Sequence, residues 1–267
     1  MVKPLFVIKL GGSVITYKGH PTGKLRVKRI KEIAREIKQA QEEKNFNLIL
    51  INGVGSYGHP FAKKYGTIHG IKNEVQLKGF CEIKYIVNFL ITKLNKIFFD
   101  VGLNVFPCQI SSLVIQNRGK IFSFNTKPIK QLLQQGIIPM LSGDVVTDKS
   151  WGGSICSGDT SALYLVRELK ARKVMFASDV DGIFDRDPHK YQNAKLIPEV
   201  NKQNFSKIIC LIKKSSYIDV TGGMRGKLLE IKKYHKKTKI IIFNGLKKNF
   251  ILKAFSNRKI GTIIDLA

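Results

Sequence analysis

Lys9 closes the apolar run Phe6-Val7-Ile8 and stands directly before the turn Leu10-Gly11-Gly12-Ser13. A lysine at a strand end, beside glycines that free the backbone, can lay its ammonium on phosphates held by the turn's N–H groups. Lys18 lies nine residues further on, near enough to supply a second cation, although a solvated loop lysine explains it equally well. The longer stretch Leu48 to Pro60, LILINGVGSYGHP, repeats the arrangement on a larger scale. Its run Leu48–Ile51 suits a buried parallel strand, the glycines Gly53, Gly55 and Gly58 follow, and Pro60 fits the first turn of a helix. Free N–H groups and the helix dipole at such a junction attract anions, and His59 can donate to a phosphate oxygen. A structural turn carrying a surface histidine would look the same in isolation. The pattern is not a Walker loop, because G-x-x-x-x-G-K-[ST] is absent.

Three further glycine turns carry polar residues: Gly143-Asp144, Gly158-Asp159 and Gly222-Gly223. Asp159 is either the N-cap of the helix Ser161–Leu169 or a carboxylate that holds a lysine in position. Asp179-Val180-Asp181-Gly182 follows the apolar run Lys173–Ala177, where open α/β sheets bind ligands. One such turn is weak evidence. Five, with a strand-end lysine, a histidine and an Asp-x-Asp-Gly, point to two phosphate sites facing each other and hence to phosphoryl transfer.

The elements that must position these groups alternate strand and helix. Val27, Ile30, Ile33, Ala34, Ile37 and Ala40 recur at helical spacing between Lys24 and Lys44, so this helix covers a sheet. With the strand Leu48–Ile51 it makes a β-loop-α-β unit and implies a parallel sheet. A second, longer helical pattern runs from Glu74 to Val101, with more apolar residues than one face needs. Most belong to the core, while some of Phe80, Ile83, Ile86 and Val87 can line a cavity beside the His59 turn, although core packing explains them equally well. Strands are expected at Asn104–Ile110, Lys120–Phe124 and Ile137–Leu141, a helix from Pro128 to Gln135, and a loop at Thr147–Ile155. Late strands at Lys239–Phe243 and Gly261–Ile264 complete one compact α/β unit, in which two lobes meet near residue 145.

The 267 residues suffice for a full core, and 43% hydrophobic content marks a globular chain. No apolar run approaches the roughly 20 residues of a membrane span, and the start does not read as a signal peptide. Four cysteines without a C-x-x-C pair read as reduced thiols of a cytoplasmic protein, with no dedicated metal site. The net charge of +27 favours anionic substrates and attracts polyanions. Twelve Lys/Arg against Glu230 alone lie in residues 225–259, yet the Lys- and Ile-rich composition reads chiefly as background, and no specific nucleic-acid partner is expected.

Set side by side, KLGGSVIT (9–16), GVGSYGHPFAKKYG (53–66), SGDVVTD (142–148), SGD (157–159), SDVDGIFDRDP (178–188) and DVTGGMRGKL (219–228) resemble the isopentenyl phosphate kinases of the amino-acid-kinase superfamily. The match runs in order from about Val7 to the C-terminus. The histidine after the Gly-Ser-aromatic-Gly turn and the DVTGGM segment are its most specific parts. The resemblance implies an open, mostly parallel αβα sandwich, with acceptor phosphate on the side of residues 1–145 and ATP on that of 146–267. It implies that Lys9 bridges the transferring phosphoryl group, that Lys18 assists, and that Asp159 orients lysine. Val54, Gly55, Gly58 and His59 would hold the acceptor phosphate, Gly158 would lend its N–H, and Phe80, Ile83 and Ile86 would face the prenyl tail. Gly11, Gly12, Ser13, Gly55, Asp179, Asp181, Gly182, Gly222, Gly223 and Lys227 would contact the nucleotide, with Mg²⁺ riding on its phosphates. A homodimer is the expected assembly. An acceptor such as fosfomycin on the same scaffold is the nearest alternative, and a non-catalytic nucleic-acid-binding descendant a distant one. The family's usual His-Gly-Gly-Gly is here Asn52-Gly53-Val54-Gly55, and Arg225 replaces a more usual lysine. Val54 would be costly if the turn required a positive φ there.

Overall fold

The computed structural model describes residues 3–20, 23–214, 223–234, 238–256 and 258–266. Its strands are β1 (Leu5–Leu10), β2 (Asn47–Asn52), β3 (Val105–Pro107), β4 (Val114–Asn117), β5 (Lys120–Phe124), β6 (Ile138–Ser142) and β7 (Asp144–Asp148). The second half adds β8 (Gly152–Cys156), β9 (Lys173–Ser178), β10 (Ile183–Phe184), β11 (Leu196–Ile197), β12 (Glu199–Val200), β13 (Lys239–Asn244) and β14 (Thr262–Ile264). Eight of them form one sheet in the order β12-β14-β13-β9-β1-β2-β6-β3, parallel except for the β13–β14 pair. A four-stranded sheet, β5-β4-β7-β8, and the short β10–β11 pair lie beside it.

The central strands are apolar on both faces because helices cover both faces. On one side α2 (Val27–Glu43), α4 (Glu74–Asp100) and α10 (Phe250–Phe255) pack Ile33, Ile37, Leu90, Leu94 and Ile251 against Ile8, Leu10, Leu48 and Leu50. On the other, α6 (Lys127–Gln134), α7 (Gly158–Glu168), α8 (Phe205–Lys214) and α9 (Gly223–Tyr234) cover Val7, Ile49, Ile51, Val174 and Phe176. The period of two within each strand assigns alternate residues to the two cores. Lys9 therefore shares the face of Val7 and points toward the start of α7.

The strand order places a topological switch at the middle of the sheet. From β1 the chain proceeds to β2 on one side, and β9 later pairs with β1 on the other. The crevice beyond the carboxyl ends of strands at such a reversal is where open α/β sheets bind ligands. Among the described residues no helix is long and apolar enough to cross a membrane.

Three local expectations need correction. The expected strand Asn104–Ile110 stops at Pro107, and Ile110–Leu113 makes a helical turn instead. The expected loop Thr147–Ile155 is the hairpin β7–β8, tied by Asp148: its carboxylate accepts from the N–H groups of Arg118, Gly119, Ser150 and Trp151. Asp159 is not the N-cap of α7. Ser157 is, its hydroxyl accepting from Thr160 N at 3.0 Å, which leaves Asp159 inside the first turn.

Candidate active site

At the carboxyl end of β1 the ladder continues into the glycines. Gly11 N donates to Ala177 O at 2.8 Å, Gly53 N to Leu10 O at 2.8 Å and Gly143 N to Asn52 O at 3.0 Å. The Gly11-Gly12 and Gly53–Gly55 turns then touch backbone to backbone. A Cβ on Gly12 would lie 2.5 Å from the Cα of Gly55, and Gly55 itself has φ +49. Only glycine satisfies both demands. Thr16 locks the pair: its hydroxyl donates to Gly12 O at 2.7 Å and accepts from Ser56 N at 3.1 Å. Val54 sits at φ −89 and ψ −21, an ordinary right-handed conformation. The valine therefore costs the turn no backbone strain, and its N–H remains in place.

Three helical starts face this junction: the turn Gly12–Ile15, the 3₁₀ turn Gly55–Tyr57 leading into α3 (His59–Tyr65), and α7. Their first N–H groups have no intrahelical partner, so together they make a cradle for anions. The cavity between them measures about 840 Å³. Lys9, Gly11, Gly12, Ser13, Lys18, Val54, Gly55, Gly58, His59, Gly158 and Asp159 all line it. So do Ile83, Asp179, Gly182, Gly223 and Lys227.

The charges are ordered around Asp159. One carboxylate oxygen pairs with Lys9 Nζ at 2.8 Å and the other with Lys227 Nζ. Burial works to raise this carboxyl, but the Lys227 and Lys9 ammonium groups outweigh it and hold it well below the usual carboxylate range. Lys227 Nζ also lies 4.7 Å from the centre of the Phe176 ring, which helps fix its stem. A second pair spans the cavity, Lys18 Nζ to Asp179 Oδ2 at 2.6 Å, with His189 Nε2 at 3.6 Å from the same oxygen. Burial opposes ionisation of Asp179, yet Lys18 and the Ser13 hydroxyl bring its carboxyl below its ordinary value. Cys156 lies on the cavity wall, but burial pushes its thiol up to about 12, so it carries no thiolate chemistry there.

Phe80, Ile86 and Asp181 do not line the cavity. Phe80 packs on the hairpin, where a Cβ on Gly153 would meet its ring at 2.5 Å, and Ile86 packs against the core. Asp181 is engaged by Asn244 Nδ2 at 3.0 Å and Lys247 Nζ at 2.8 Å, contacts that hold one turn to another. Gly222 lies outside the described residues. Residues that sequence reasoning did not single out are Thr16, Val145, Ile155, and the segment Arg186–His189, all on the cavity wall. Thr16 closes the KLGGSVIT segment and Val145 lies within SGDVVTD, so their signal was present; Ile155 was hidden by reading Thr147–Ile155 as loop. Among the described residues, three buried polar atoms on the wall have neither a hydrogen-bond nor an ion-pair partner: Ser56 Oγ, Asp187 Oδ2 and Arg225 Nε. Buried polar groups are otherwise almost always satisfied, so these mark places for a ligand's polar atoms.

A sheet switch point, a glycine-lined anion cradle and a lysine held by a half-buried aspartate define a phosphotransferase site. The sequence model of the amino acid kinase family matches residues 4–244, and the chain belongs to that family. Within it, the chain is similar to isopentenyl phosphate kinase of Methanocaldococcus jannaschii, 36% identical with 98% of this chain and 99% of that protein covered. The isopentenyl phosphate kinase of Methanothermobacter thermautotrophicus is 30% identical over 85% of each chain. Among solved structures, one of isopentenyl phosphate kinase superposes with a TM-score of 0.84 at 28% identity, covering 98% of this chain and all of the other.

Proposed function

We propose that this enzyme transfers the γ-phosphate of ATP to isopentenyl phosphate, giving isopentenyl diphosphate and ADP. The observation that carries the reading is Lys9, held by Asp159 between two touching glycine turns at one end of a cavity whose other end is apolar. Ile83, Val87, Val145 and Ile155 form that apolar wall, which suits a branched hydrocarbon tail better than a small phosphonate.

In this reading the acceptor phosphate rests on the N–H groups of Val54 and Gly55, with His59 donating from the start of α3. The triphosphate rests on Gly11, Gly12, Ser13 and Gly158, and Lys227 reaches its outer oxygens. An acceptor oxygen attacks the γ-phosphorus as the bond to the β–γ bridging oxygen breaks, and ADP leaves with that electron pair. Charge spreads over the equatorial oxygens of the transferring group, where Lys9 meets it without reorganisation. Lys18 exchanges Asp179 for a phosphate oxygen as the nucleotide enters. Val180, Phe184, Asp187 and Arg225 complete the nucleotide wall.

Mg²⁺ fits this arrangement as a passenger on the triphosphate. Asp144, Asp159 and Asp179 are each paired with lysine, and no cluster of three or more metal-ligating side chains occurs among the described residues. Held through the nucleotide's phosphates, magnesium would supply neutralisation of their charge. The same reading assigns residues 1–145 chiefly to the acceptor and 146–267 chiefly to ATP, in a cytoplasmic homodimer. Steady-state ADP release with isopentenyl phosphate, fosfomycin and UMP as acceptors tests the proposal. It predicts the highest kcat/KM for isopentenyl phosphate; a higher value for fosfomycin or UMP refutes it.

A further inference from the structure

Lys84 lies one residue beyond Ile83 on α4, and its Nζ reaches Asp144 Oδ2 at 2.5 Å. The Asp144 side chain is 1% exposed and opens β7, the strand that also carries Val145. The other carboxylate oxygen accepts from Val145 N at 2.9 Å, and the Ser111 hydroxyl donates to the group as well. The pair therefore joins the two walls of the apolar end of the cavity. One wall is α4, with Ile83 and Val87 on a single face, four residues apart. The other is the β7–β8 hairpin, with Val145 and Ile155. Phe80, seated on Gly153, and the packing of Ile83 and Val87 with Val145 also join α4 to the hairpin, through apolar contacts. Apolar contacts can slide, whereas a buried ion pair with fixed hydrogen bonds holds one register.

We infer that Lys84 is a positioning residue for acceptor specificity: its ion pair with Asp144 sets the width of the apolar pocket and so the hydrocarbon tail the enzyme accepts. The inference rests on the proposed function for the chemistry of the tail. Removing the Lys84 charge leaves the Asp144 carboxyl, which burial already pushes up, to take a proton, and the tie that fixes α4 against the hairpin is lost. A short tail then loses contacts on one side, and a longer one gains room. Lys84 itself does not line the cavity, whereas its partner Asp144 does.

The test is steady-state kinetics of Lys84→Met, Lys84→Arg and the charge-neutral pair Lys84→Met with Asp144→Asn, using alkenyl phosphates of increasing length. Lys84→Met should raise KM for isopentenyl phosphate on the order of tenfold, about what one misfitted methylene costs in an apolar pocket. Its kcat at saturating acceptor and its KM for ATP should stay within about twofold, and the selectivity for short over long tails should fall. Lys84→Arg should restore the short-tail preference. If Lys84→Met does not fold, the neutral pair, which leaves no unpaired charge, is read in its place. An unchanged acceptor KM and chain-length preference in a folded variant overturns the inference, as does an equal rise in KM for ATP. Failure of the wild-type enzyme on isopentenyl phosphate would refute the functional reading alone; the tie is then tested with whichever alkyl phosphate the wild type uses best.

Discussion

Replacing Asp159 by Asn removes the one negative charge between two lysines while keeping the shape of the side chain. At 2.8 Å and an effective dielectric of about 20, the Lys9–Asp159 attraction is on the order of 6 kcal/mol before desolvation is counted. Desolvation takes back several kcal/mol, and breaking such a pair from one side costs about 3–5 kcal/mol net. For a chain of this size that is a fall in Tm of about 10 °C. ATP should then narrow the deficit, because its phosphates supply the missing negative charge to Lys9 and Lys227. Lys9, no longer held, should lower kcat by about 10²–10³. The assay is thermal unfolding of wild type and Asp159→Asn with and without ATP, alongside kcat. The sign of the pH effect is fixed too. The folded carboxyl titrates below its unfolded value, so its contribution is full above about pH 4 and is lost as pH falls toward the depressed value. A Tm and kcat matching wild type, or a deficit that ATP leaves unchanged, would show that Asp159 does not hold Lys9 for catalysis.

Other residues give separate readouts. Lys9→Ala should cut kcat by about 10²–10³ with folding nearly unchanged. His59→Ala should weaken acceptor binding and activity but spare ATP binding, and His59→Asn, which keeps an N–H donor, should retain more; equal defects toward both substrates would count against its role. Gly55→Ala, forced to φ +49 and into Thr16, should lose about 1–3 kcal/mol in urea unfolding, whereas Val54→Gly should leave kcat within about twofold. Lys173 is buried beneath α10, donating to Ala254 O and to Ser256 O at 3.1 Å. Burial, then the Lys239 and Lys44 ammonium groups, bring its amine down to about 8. The unfolded chain binds this proton more tightly, so its contribution to stability should rise as pH climbs from about 8 toward 10. Lys173→Met should abolish that rise, measured as the difference between unfolding free energies at the two ends of the window.

The glycine turns were legible because each follows an apolar run and precedes a helix start, a local pattern that leaves few other conformations. Lys9 was legible for the same reason: the strand's period of two assigned it a face once the strand was found. The role of Asp159 was not settled locally, because CSGDT offers two capping residues and only the fold brings Lys9 and Lys227 to the second of them. The surplus apolar residues of α4 could not be divided between core and cavity from helical period alone. Packing against the hairpin diverted Phe80, and packing in the core diverted Ile86. Asp181 has the right chemistry for a ligand contact, but Asn244 and Lys247, remote in sequence, engage it. The hairpin itself was obscured by Gly152-Gly153, which lowers strand propensity where Phe80 and Ile71 approach the backbone.

A crystal structure of the ternary complex with isopentenyl phosphate and a non-hydrolysable ATP analogue would show the proposed arrangement of the two phosphates outright. The acceptor phosphate is expected on the N–H groups of Val54 and Gly55 beside His59, the γ-phosphate on the Gly11–Gly12 turn, and Lys9 Nζ within hydrogen-bond distance of both. The tail is expected against Ile83, Val145 and Ile155. An acceptor phosphate seated on the Asp179–Gly182 side, or a tail directed to solvent, would contradict that arrangement.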